Sequence, residues 1–312
     1  MDAHSKIKKA FKRDIGKTAV SVSKCLNQIY GINNVYRIET DGKSYIFKMF
    51  HSAGYPEKGK MCFVSKLLSE HNIPHAKVYS CKSSSDDFPN GYMIEEWLPG
   101  ITADKLEFTE REACHFYKKL AEYTSEVHGI KFNEYGFFIN GQPDCATFSE
   151  HLSSNFIYGA RKAKDIYTNI ELDSIKKKLL EALKPCDSIQ PCLCHVDLQP
   201  KNTLVVDDCI TLIDWDDARS FPAIIDIARL TLLIELAYDS VVTEDIEKAN
   251  NYKNAFLNNY PFKSRLSLYH ELEPALHVWH GLVILNFCMG DIQHISKIKT
   301  AIDDKLKLMV KY

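Results

Sequence analysis

The 312-residue sequence predicts an α+β protein, with strands in the first hundred residues and mostly helices beyond them. An Asp41-Gly42 pair between two runs rich in β-branched and aromatic residues is a strong hairpin signal. Thr109-x-x-Glu112 is a helix capping box, and apolar residues follow it at helical spacing. The length allows two lobes, and Pro99-Gly100 marks a boundary between residues 1–98 and residues 99–312.

The smaller N-terminal part is predicted to contain five strands and two helices. A helix over residues 1–20 leads into strands over residues 25–30, 35–40 and 43–50. A second helix is expected over residues 57–71, before Ile73-Pro74, which is a typical stop signal. Two further strands are predicted on either side of a polar loop, residues 82–91.

Lys48 lies in the third of these strands, among large apolar residues. Because successive side chains of a strand alternate between its faces, Lys48 shares a face with Ile46 and Phe50. A lysine is costly to bury there without an anion, although from an edge strand its stem can carry the charge to solvent. The pattern therefore predicts either an anion contact for Lys48 or an exposed edge position.

The larger C-terminal part is predicted to be helical, apart from one central stretch over residues 193–219. Helices are expected after the capping box at Thr109 and over residues 144–168, 172–184, 223–238, 244–259, 270–289 and 291–312. The central stretch reads as three short strands, over residues 191–194, 203–206 and 209–213. Its polar groups therefore gather at strand ends.

These polar groups form the pattern His195-x-Asp197-x4-Asn202, followed by Asp214 at the end of an apolar strand. Transfer of a phosphoryl group needs an acceptor for a hydroxyl proton and ligands for Mg²⁺, with little covalent chemistry from the protein. Asp197 would orient and deprotonate the hydroxyl, while Asn202 and Asp214 would bind metal, with Asp216 as a further metal contact. The alternative is that each acid is a turn or cap residue.

The segment resembles the catalytic and metal-binding loops of the aminoglycoside phosphotransferase and choline kinase superfamily, relatives of the protein kinases. The resemblance implies a protein-kinase-like fold of two lobes, with an N-terminal antiparallel sheet lobe and a larger helical lobe. It also implies that Asp197 is the catalytic residue and that Asn202 and Asp214 are Mg²⁺ ligands. His195 would support the loop, and Asp226 would brace it rather than react.

One position departs from the family pattern. Many members have glycine after the motif histidine, where this chain has Val196. The departure favours no substrate by itself, but it weakens assignment to a particular drug-modifying branch.

The resemblance extends to the N-terminal part, which it implies to be the nucleotide-binding lobe. Lys48 resembles the lysine that contacts the α- and β-phosphates of ATP or GTP. A loop over residues 30–34 would lie over the phosphates, although it lacks the G-x-G-x-x-G pattern. The family's helix glutamate, which pairs with this lysine, is replaced by Met61, so Glu57 is the expected partner of Lys48. The backbone of the linker between the lobes would bind adenine through Glu96, Trp97 and Leu98.

The acceptor is predicted to be a small molecule. Only eleven residues separate Asp214 from Asp226, too few for the activation segment of a protein kinase. The leading class is an aminoglycoside-like antibiotic, whose positive charge would suit acids in the C-terminal helices. The candidates are Glu235, Asp239, Glu271, Glu273 and Asp291, each of which is otherwise an ordinary solvated helix residue.

Two other interpretations remain open. Trp279 and His280 could line a site for a quaternary amine such as choline, or they could be core residues. A housekeeping kinase for choline, ethanolamine, a sugar or an amino alcohol is therefore an alternative. A catalytically silent nucleotide-binding regulator is the other, favoured by Met61 and by the glycine-poor loop.

Composition indicates a soluble cytoplasmic protein. The net charge is −2 and charges of both signs are mixed, so no footprint for nucleic acid or for a membrane is present. The charged N-terminal residues do not resemble a secretory signal. Ten cysteines without small-domain spacing are interpreted as reduced thiols, including Cys186, Cys192 and Cys194, whose proximity to His195 mimics a zinc site. The oligomeric state stays open.

Overall fold

The structure is a computed structural model that describes residues 2–25, 33–237, 245–288 and 291–309. The chain divides into two compact units. Unit 1 comprises Met1–Gly100 with the short segments Phe138–Gln142 and Leu212–Asp217. Unit 2 comprises the remaining segments, Ile101–Phe137, Pro143–Thr211 and Ala218–Tyr312.

Unit 1 is built on a five-stranded antiparallel sheet with the strand order β1-β2-β3-β5-β4. Its elements are α1 (Ala3–Ile15), β1 (Ser21–Lys24), β2 (Asn34–Thr40), β3 (Lys43–Met49), α2 (Lys60–Glu70), β4 (Val78–Lys82) and β5 (Tyr92–Glu96). The hairpin predicted at Asp41-Gly42 is confirmed, because it joins β2 and β3 in register. The long hairpin connection predicted over residues 82–91 likewise joins β4 and β5.

Helix α1 and the sheet form the core of unit 1. The ring of Phe11 packs edge-on against Tyr45, with 5.0 Å between the ring centroids. Phe47 stacks on Tyr92 at 4.8 Å, and both rings are fully buried. Because neighbouring residues of a strand face opposite sides, Lys48 lies on the side of β3 opposite this aromatic core.

Two boundaries in unit 1 differ from the predictions. The first strand is β1, at residues 21–24, whereas residues 26–30 of the strand predicted at 25–30 lie outside the described residues. Helix α2 begins at Lys60 instead of residue 57, because Gly59 has the left-handed backbone angle φ 81° and stops the helix from extending backwards.

Unit 2 contains most of the helices and two small sheets. The sheets have the strand orders β11-β10-β6 and β8-β7-β12-β9. The strands are β6 (Ile101–Thr102), β7 (Tyr135–Ile139), β8 (Gln142–Cys145), β9 (Cys192–Cys194), β10 (Thr203–Val206), β11 (Cys209–Leu212) and β12 (Arg219–Phe221). The helices are α3 (Glu110–Val127), α4 (Phe148–Gly159), α5 (Asn169–Ala182), α6 (Ile224–Leu236), α7 (Ile246–Asn259), α8 (Lys263–Leu285) and α9 (Ile292–Leu308).

The predicted capping box of α3 is confirmed. The Thr109 hydroxyl accepts from the Glu112 amide, and the Glu112 carboxylate accepts from the Thr109 amide. The helix predicted over residues 144–168 is wrong at both ends, because α4 covers only Phe148–Gly159. Its expected beginning belongs instead to the hairpin of β7 and β8, which turns at Asn140-Gly141 with positive φ angles of 51° and 82°.

Helix α8 is longer than predicted at its start and contains Pro274 in its interior. None of the helices in the described ranges combines the length and the apolar composition needed to cross a lipid bilayer.

Candidate active site

The loop between β9 and β10 carries three of the predicted site residues, His195, Asp197 and Asn202. Two backbone hydrogen bonds from this loop end on the carboxylate of Asp226, in the first turn of α6. The His195 amide donates to Asp226 Oδ2 at 2.7 Å, and the Val196 amide donates to Asp226 Oδ1 at 2.6 Å. Asp226 therefore fixes the backbone immediately before Asp197, as a bracing residue would.

The Asp226 carboxylate is itself held by a buried histidine. His128 Nε2 lies 3.1 Å from Asp226 Oδ2, and His128 Nδ1 lies 2.8 Å from the Tyr260 hydroxyl. Burial would raise the pKa of Asp226, but the hydrogen bond and charge of His128, with His195, keep this pKa below its ordinary value. The brace is thus a carboxylate that stays ionised although it is almost completely buried.

Both carboxylate oxygens of Asp197 accept hydrogen bonds within unit 2. Arg229 Nη2 donates to Oδ1 at 2.6 Å, and Asn202 Nδ2 donates to Oδ2 at 2.7 Å. Burial would raise the pKa of Asp197, but Arg229, Lys201 and His195 outweigh it and hold the pKa well below its usual range. Asp197 is therefore an oriented, ionised carboxylate whose side chain keeps 22% of its surface exposed.

Arg229 is the residue of this group that the sequence analysis missed. It lies on α6 three residues after Asp226, so both side chains share one face of the helix. Its side chain is only 8% exposed, and its Nε and Nη1 atoms make no hydrogen bond within the part of the chain that the structure describes. An arginine among the apolar residues of a mostly buried helix is costly without a counter-ion, and this was the available signal.

Val196 has a strained backbone. Its φ angle is 68°, in the left-handed region that β-branched residues rarely adopt. The conformation costs about 1–2 kcal/mol for a residue with a Cβ atom. A glycine, as many family members have here, would adopt it without that cost.

In unit 1, the buried cation of Lys48 has two aspartate partners. Lys48 Nζ lies 2.7 Å from Asp214 Oδ1 and 3.1 Å from Asp216 Oδ1. The sequence predicted either an anion contact or an exposed edge position for Lys48. The structure shows the anion contact, because Lys48 is buried against acids. Glu95, half-buried on the neighbouring strand β5, adds a third acid to this group.

This group contains three acids, Asp214, Asp216 and Glu95, and one cation, Lys48, and the pKa values of Glu95 and Asp216 are raised. Burial raises the pKa of Glu95 to about 7, with Asp216 and Asp214 adding to the effect and Lys48 opposing it. Burial also raises the pKa of Asp216 to about 6, against the attraction of Lys48. A further cation would relieve this repulsion, and carboxylate oxygens are the ligands that Mg²⁺ prefers.

Asp214 and Asp216 differ in access to solvent. The Asp214 side chain is 48% exposed, and its backbone is left-handed with φ 64°. The Asp216 side chain is 6% exposed, and its second oxygen, Oδ2, accepts from Asn33 Nδ2 at 3.0 Å. Asp214 thus fits the donor chemistry of a metal ligand, while both oxygens of Asp216 already have protein donors.

The predicted pair of Lys48 and Glu57 is wrong. Glu57 Oε2 instead lies 2.9 Å from Lys60 Nζ. Glu57 precedes α2, since that helix begins only after Gly59, and it therefore does not lie on the helix face from which it was expected to reach Lys48. Met61, at the position expected for the family glutamate, is buried.

The chain segment after β5 was predicted to bind adenine. The Glu96 amide donates to the Lys77 carbonyl at 2.8 Å, and the Trp97 amide donates to the Ser44 carbonyl at 3.4 Å. Leu98 follows as a partly exposed residue. Of the loop over residues 30–34, residues 30–32 lie outside the described residues.

A family model described as the phosphotransferase enzyme family, APH, matches residues 30–262. The chain belongs to this family. The predicted class of enzyme, a kinase that transfers phosphate to an alcohol group of a small molecule, is thereby confirmed. No curated protein sequence matches the chain significantly.

Solved structures of low sequence identity share the fold of this phosphotransferase. A thermostable mutant of aminoglycoside phosphotransferase APH(4)-Ia, in ternary complex with ADP and hygromycin B, has 15% identity and a TM-score of 0.69, with 96% of this chain and 98% of that chain covered. A protein of Haemophilus somnus 129PT assigned as a fructosamine-3-kinase has 17% identity, a TM-score of 0.65 and 96% coverage of both chains. A protein of Thermobifida fusca YX-ER1 with the same assignment has 18% identity, a TM-score of 0.62 and coverage of 96% and 98%. The predicted protein-kinase-like α+β fold is confirmed.

The acidic residues predicted to attract a polycationic acceptor are partly neutralised in the phosphotransferase. Lys253 Nζ lies 2.6 Å from Glu235 and 2.5 Å from Glu273, and Lys305 Nζ lies 3.2 Å from Glu235. Asp239 lies outside the described residues. Glu271 is an exposed acid on α8, whereas the exposed Asp291 caps the start of α9 and lies 2.5 Å from His294 Nδ1.

The aromatic residues predicted as an alternative amine site belong to the core. The Trp279 ring stacks on Phe156 and is so close to Gly159 that a Cβ atom there would lie 2.3 Å from it. His280 is buried, with Nε2 2.9 Å from the Ile225 carbonyl oxygen. Both residues fit the core interpretation that the sequence left open.

All ten cysteines lie within the described ranges and are unbridged. Cys192 and Cys194 approach each other to 3.9 Å between sulfurs, and His128 completes a buried group of three that could ligate a metal. Each of these sulfurs also lies 3.4 Å from the Phe221 carbonyl oxygen. A carbonyl neighbour is typical of a thiol that donates its hydrogen, so we interpret the pair as packed thiols.

The substitution Asp226→Asn is expected to lower the free energy of unfolding by about 3 kcal/mol, because an amide cannot replace both charged acceptor oxygens. Urea denaturation at neutral pH measures the change, with the exposed Asp173→Asn as control. The folded pKa of Asp226 is below the ordinary value, so its contribution is present above about pH 4 and is lost on further acidification. If Asp226→Asn unfolds like the control at neutral pH, the brace contributes nothing to stability.

The strain at Val196 predicts an unusual order of stability for two substitutions. Both Val196→Gly and Val196→Ala remove the valine methyl groups, but only glycine adopts the left-handed backbone freely. We expect the glycine variant to be more stable than the alanine variant by about 1 kcal/mol in thermal or urea unfolding. The opposite order would mean that the backbone does not hold this conformation in solution.

Proposed function

We propose that this phosphotransferase transfers a phosphoryl group from ATP or GTP, with Mg²⁺, to a hydroxyl group of a small molecule. The observation that carries the proposal is the Asp197 carboxylate, which Arg229 and Asn202 hold in one orientation while part of its surface stays exposed. A carboxylate held in this way can accept a hydrogen bond from an acceptor hydroxyl and direct its oxygen for attack.

The low pKa of Asp197 bears on the point in the reaction at which the acceptor hydroxyl would transfer its proton to this carboxylate. A weakly basic carboxylate takes little proton from an alcohol in the ground state. In a loose phosphoryl-transfer transition state the hydroxyl becomes acidic only as its bond to phosphorus forms. Asp197 would therefore orient the hydroxyl first and receive its proton late.

We propose residues 1–98 as the nucleotide-binding lobe and residues 99–312 as the lobe that carries the catalytic loop and the acceptor site. Lys48 would contact the α- and β-phosphates, and the Leu98 amide would bind the base, because the amides of Glu96 and Trp97 already donate to carbonyls. Bound Mg²⁺ would neutralise phosphate charge. Asn202 and Asp214 are the proposed ligands, each offering an oxygen of the kind that Mg²⁺ prefers.

For the acceptor, we propose a sugar that carries an amine, with aminoglycoside-like antibiotics as the leading class. The structural relatives support this chemistry, since one is an aminoglycoside phosphotransferase in complex with hygromycin B and another is assigned as a fructosamine-3-kinase. A metabolic amino sugar with a single charge is the second candidate. The neutralisation of Glu235 and Glu273 by lysines favours it, because those acids are then not available to a polycation.

An acceptor screen tests the proposal. The chain would be incubated with Mg²⁺ and ATP or GTP, and with aminoglycosides, fructosamine-type sugars, plain sugars, choline or ethanolamine, and phosphorylated product would be detected by mass spectrometry. We expect product with amine-bearing sugars. Product with choline or ethanolamine alone would refute the proposed acceptor class, and no nucleotide binding at all would refute the proposed reaction.

The role of Asp197 is tested with asparagine and not with alanine, because alanine would leave the buried Arg229 charge without any partner. We expect Asp197→Asn to lower kcat by about 10²–10⁴-fold while the nucleotide affinity stays within a factor of about two. A variant that retained most of the wild-type kcat would exclude Asp197 as the proton acceptor.

Arg229 is proposed to position Asp197. Arg229→Met should lower kcat by about 10-fold to 100-fold, because a displaced carboxylate no longer directs the hydroxyl, while the nucleotide KM changes little. Arg111→Met, at an exposed position on α3, is the matched control. In an Asp197→Asn background the Arg229→Met change should have almost no further effect on kcat. Equal losses in both backgrounds would show that Arg229 acts elsewhere.

A further inference from the structure

The charge partners of Lys48 have an unexpected origin in this chain. Helix α2 supplies no acid to Lys48, since Met61 is apolar and Glu70, at the end of the helix, is paired with Lys66. Glu57, which precedes the helix, is paired with Lys60. A buried ammonium group needs compensation from elsewhere. Its partners come instead from the segment Leu212–Asp217, where Asp214 and Asp216 lie within hydrogen-bonding distance.

Asp216 is bound at three points within unit 1. Its Oδ1 accepts from Lys48 at 3.1 Å, and its Oδ2 accepts from Asn33 at 3.0 Å. Its backbone carbonyl accepts from Lys60 Nζ at 2.5 Å. Because the side chain is also buried, its carboxylate cannot turn towards another ligand without breaking one of these bonds.

Lys60 is the first residue of α2 and is almost fully buried. Its Nζ atom joins the Glu57 carboxylate to the Asp216 carbonyl. The residue that α2 contributes is therefore a cation, Lys60, which binds the Asp216 carbonyl. The Asp216 carboxylate in turn binds Lys48. In protein kinases the helix instead contributes a glutamate, which pairs directly with the strand lysine.

We propose that Asp216 is the positioning residue for Lys48 and that Lys60 holds Asp216 in place. Asp216 pairs with Lys48 and holds it in position, as a glutamate on α2 would. The exposed Asp214 is then the acid that binds the metal ion. The inference rests on the proposed function, in which Lys48 contacts the phosphates of the nucleotide.

The test compares the same substitution at two neighbouring acids. Dissociation constants for ATP and GTP would be measured by calorimetry on the full chain, with Mg²⁺ and with EDTA. Asp216→Asn should weaken binding about tenfold in both conditions, because the loss concerns Lys48 and the phosphates. Asp214→Asn should weaken binding chiefly when Mg²⁺ is present.

A double-mutant cycle with Lys48→Met adds a second readout. If Asp216 acts through Lys48, Asp216→Asn should change the dissociation constant in EDTA less than about twofold once Lys48 is methionine. If Asp216→Asn does not fold, Lys60→Met reports on the same arrangement, because it releases the Asp216 carbonyl and leaves the carboxylate. We expect it to weaken nucleotide binding by about threefold with and without Mg²⁺.

Two outcomes would overturn the inference alone. In the first, the wild-type chain binds nucleotide and Asp216→Asn weakens binding only with Mg²⁺, which would make Asp216 a metal ligand. In the second, Asp216→Asn and Lys60→Met both bind like the wild-type chain. If the wild-type chain bound neither nucleotide, the proposed function and the inference would fall together.

Discussion

The loop between β9 and β10 depends on its hydrogen bonds to the buried Asp226 carboxylate. The loop leaves a three-residue strand, and the amides of His195 and Val196 each end on one oxygen of Asp226. Either amide would cost about 1–3 kcal/mol if it were buried without an acceptor. These bonds also explain how Val196 can keep a left-handed backbone, since strain persists where surrounding contacts fix the chain. Asp197 is the next residue, so its position follows from the same two bonds.

In unit 1, the corresponding constraint is the charge of one lysine. Lys48 is buried on β3, and its ammonium group therefore needs acidic partners. Three acids, Asp214, Asp216 and Glu95, surround this one cation, and the raised pKa values of Glu95 and Asp216 show that Lys48 does not balance their charge. The excess is tolerable in a site that binds a divalent cation, because the metal then supplies the missing charge. Asp214, the most exposed acid of the group by side chain, is the one a metal could reach.

Local sequence patterns predicted the features that depend only on residues close together in the sequence. The hairpin at Asp41-Gly42 depends on its own turn residues, and the motif of Asp197 depends on spacing within one loop. The partner of Lys48 could not be found in this way. One glycine, Gly59, delays the start of α2 and removes Glu57 from the helix face. The acids that pair with Lys48 instead lie more than 160 residues after it in the sequence. Arg229 was missed for a similar reason, because its counter-ion belongs to a different element.

The low pKa of Asp197 separates catalysis from acceptor choice. In the proposed function, a carboxylate whose charge is already stabilised by Arg229 would gain little from the charge of the acceptor, and it would mainly direct a hydroxyl. In the proposed function, discrimination among hydroxyl-bearing molecules would then come from other side chains of unit 2. Glu235 and Glu273 have lysine partners there, so an amine would have to displace Lys253 from Glu273, and both Lys253 and Lys305 from Glu235. If the acceptor is an amine-bearing sugar, as proposed, we therefore expect hydrogen bonds to its sugar framework to contribute more to its selection than attraction of its charge by Glu235 and Glu273.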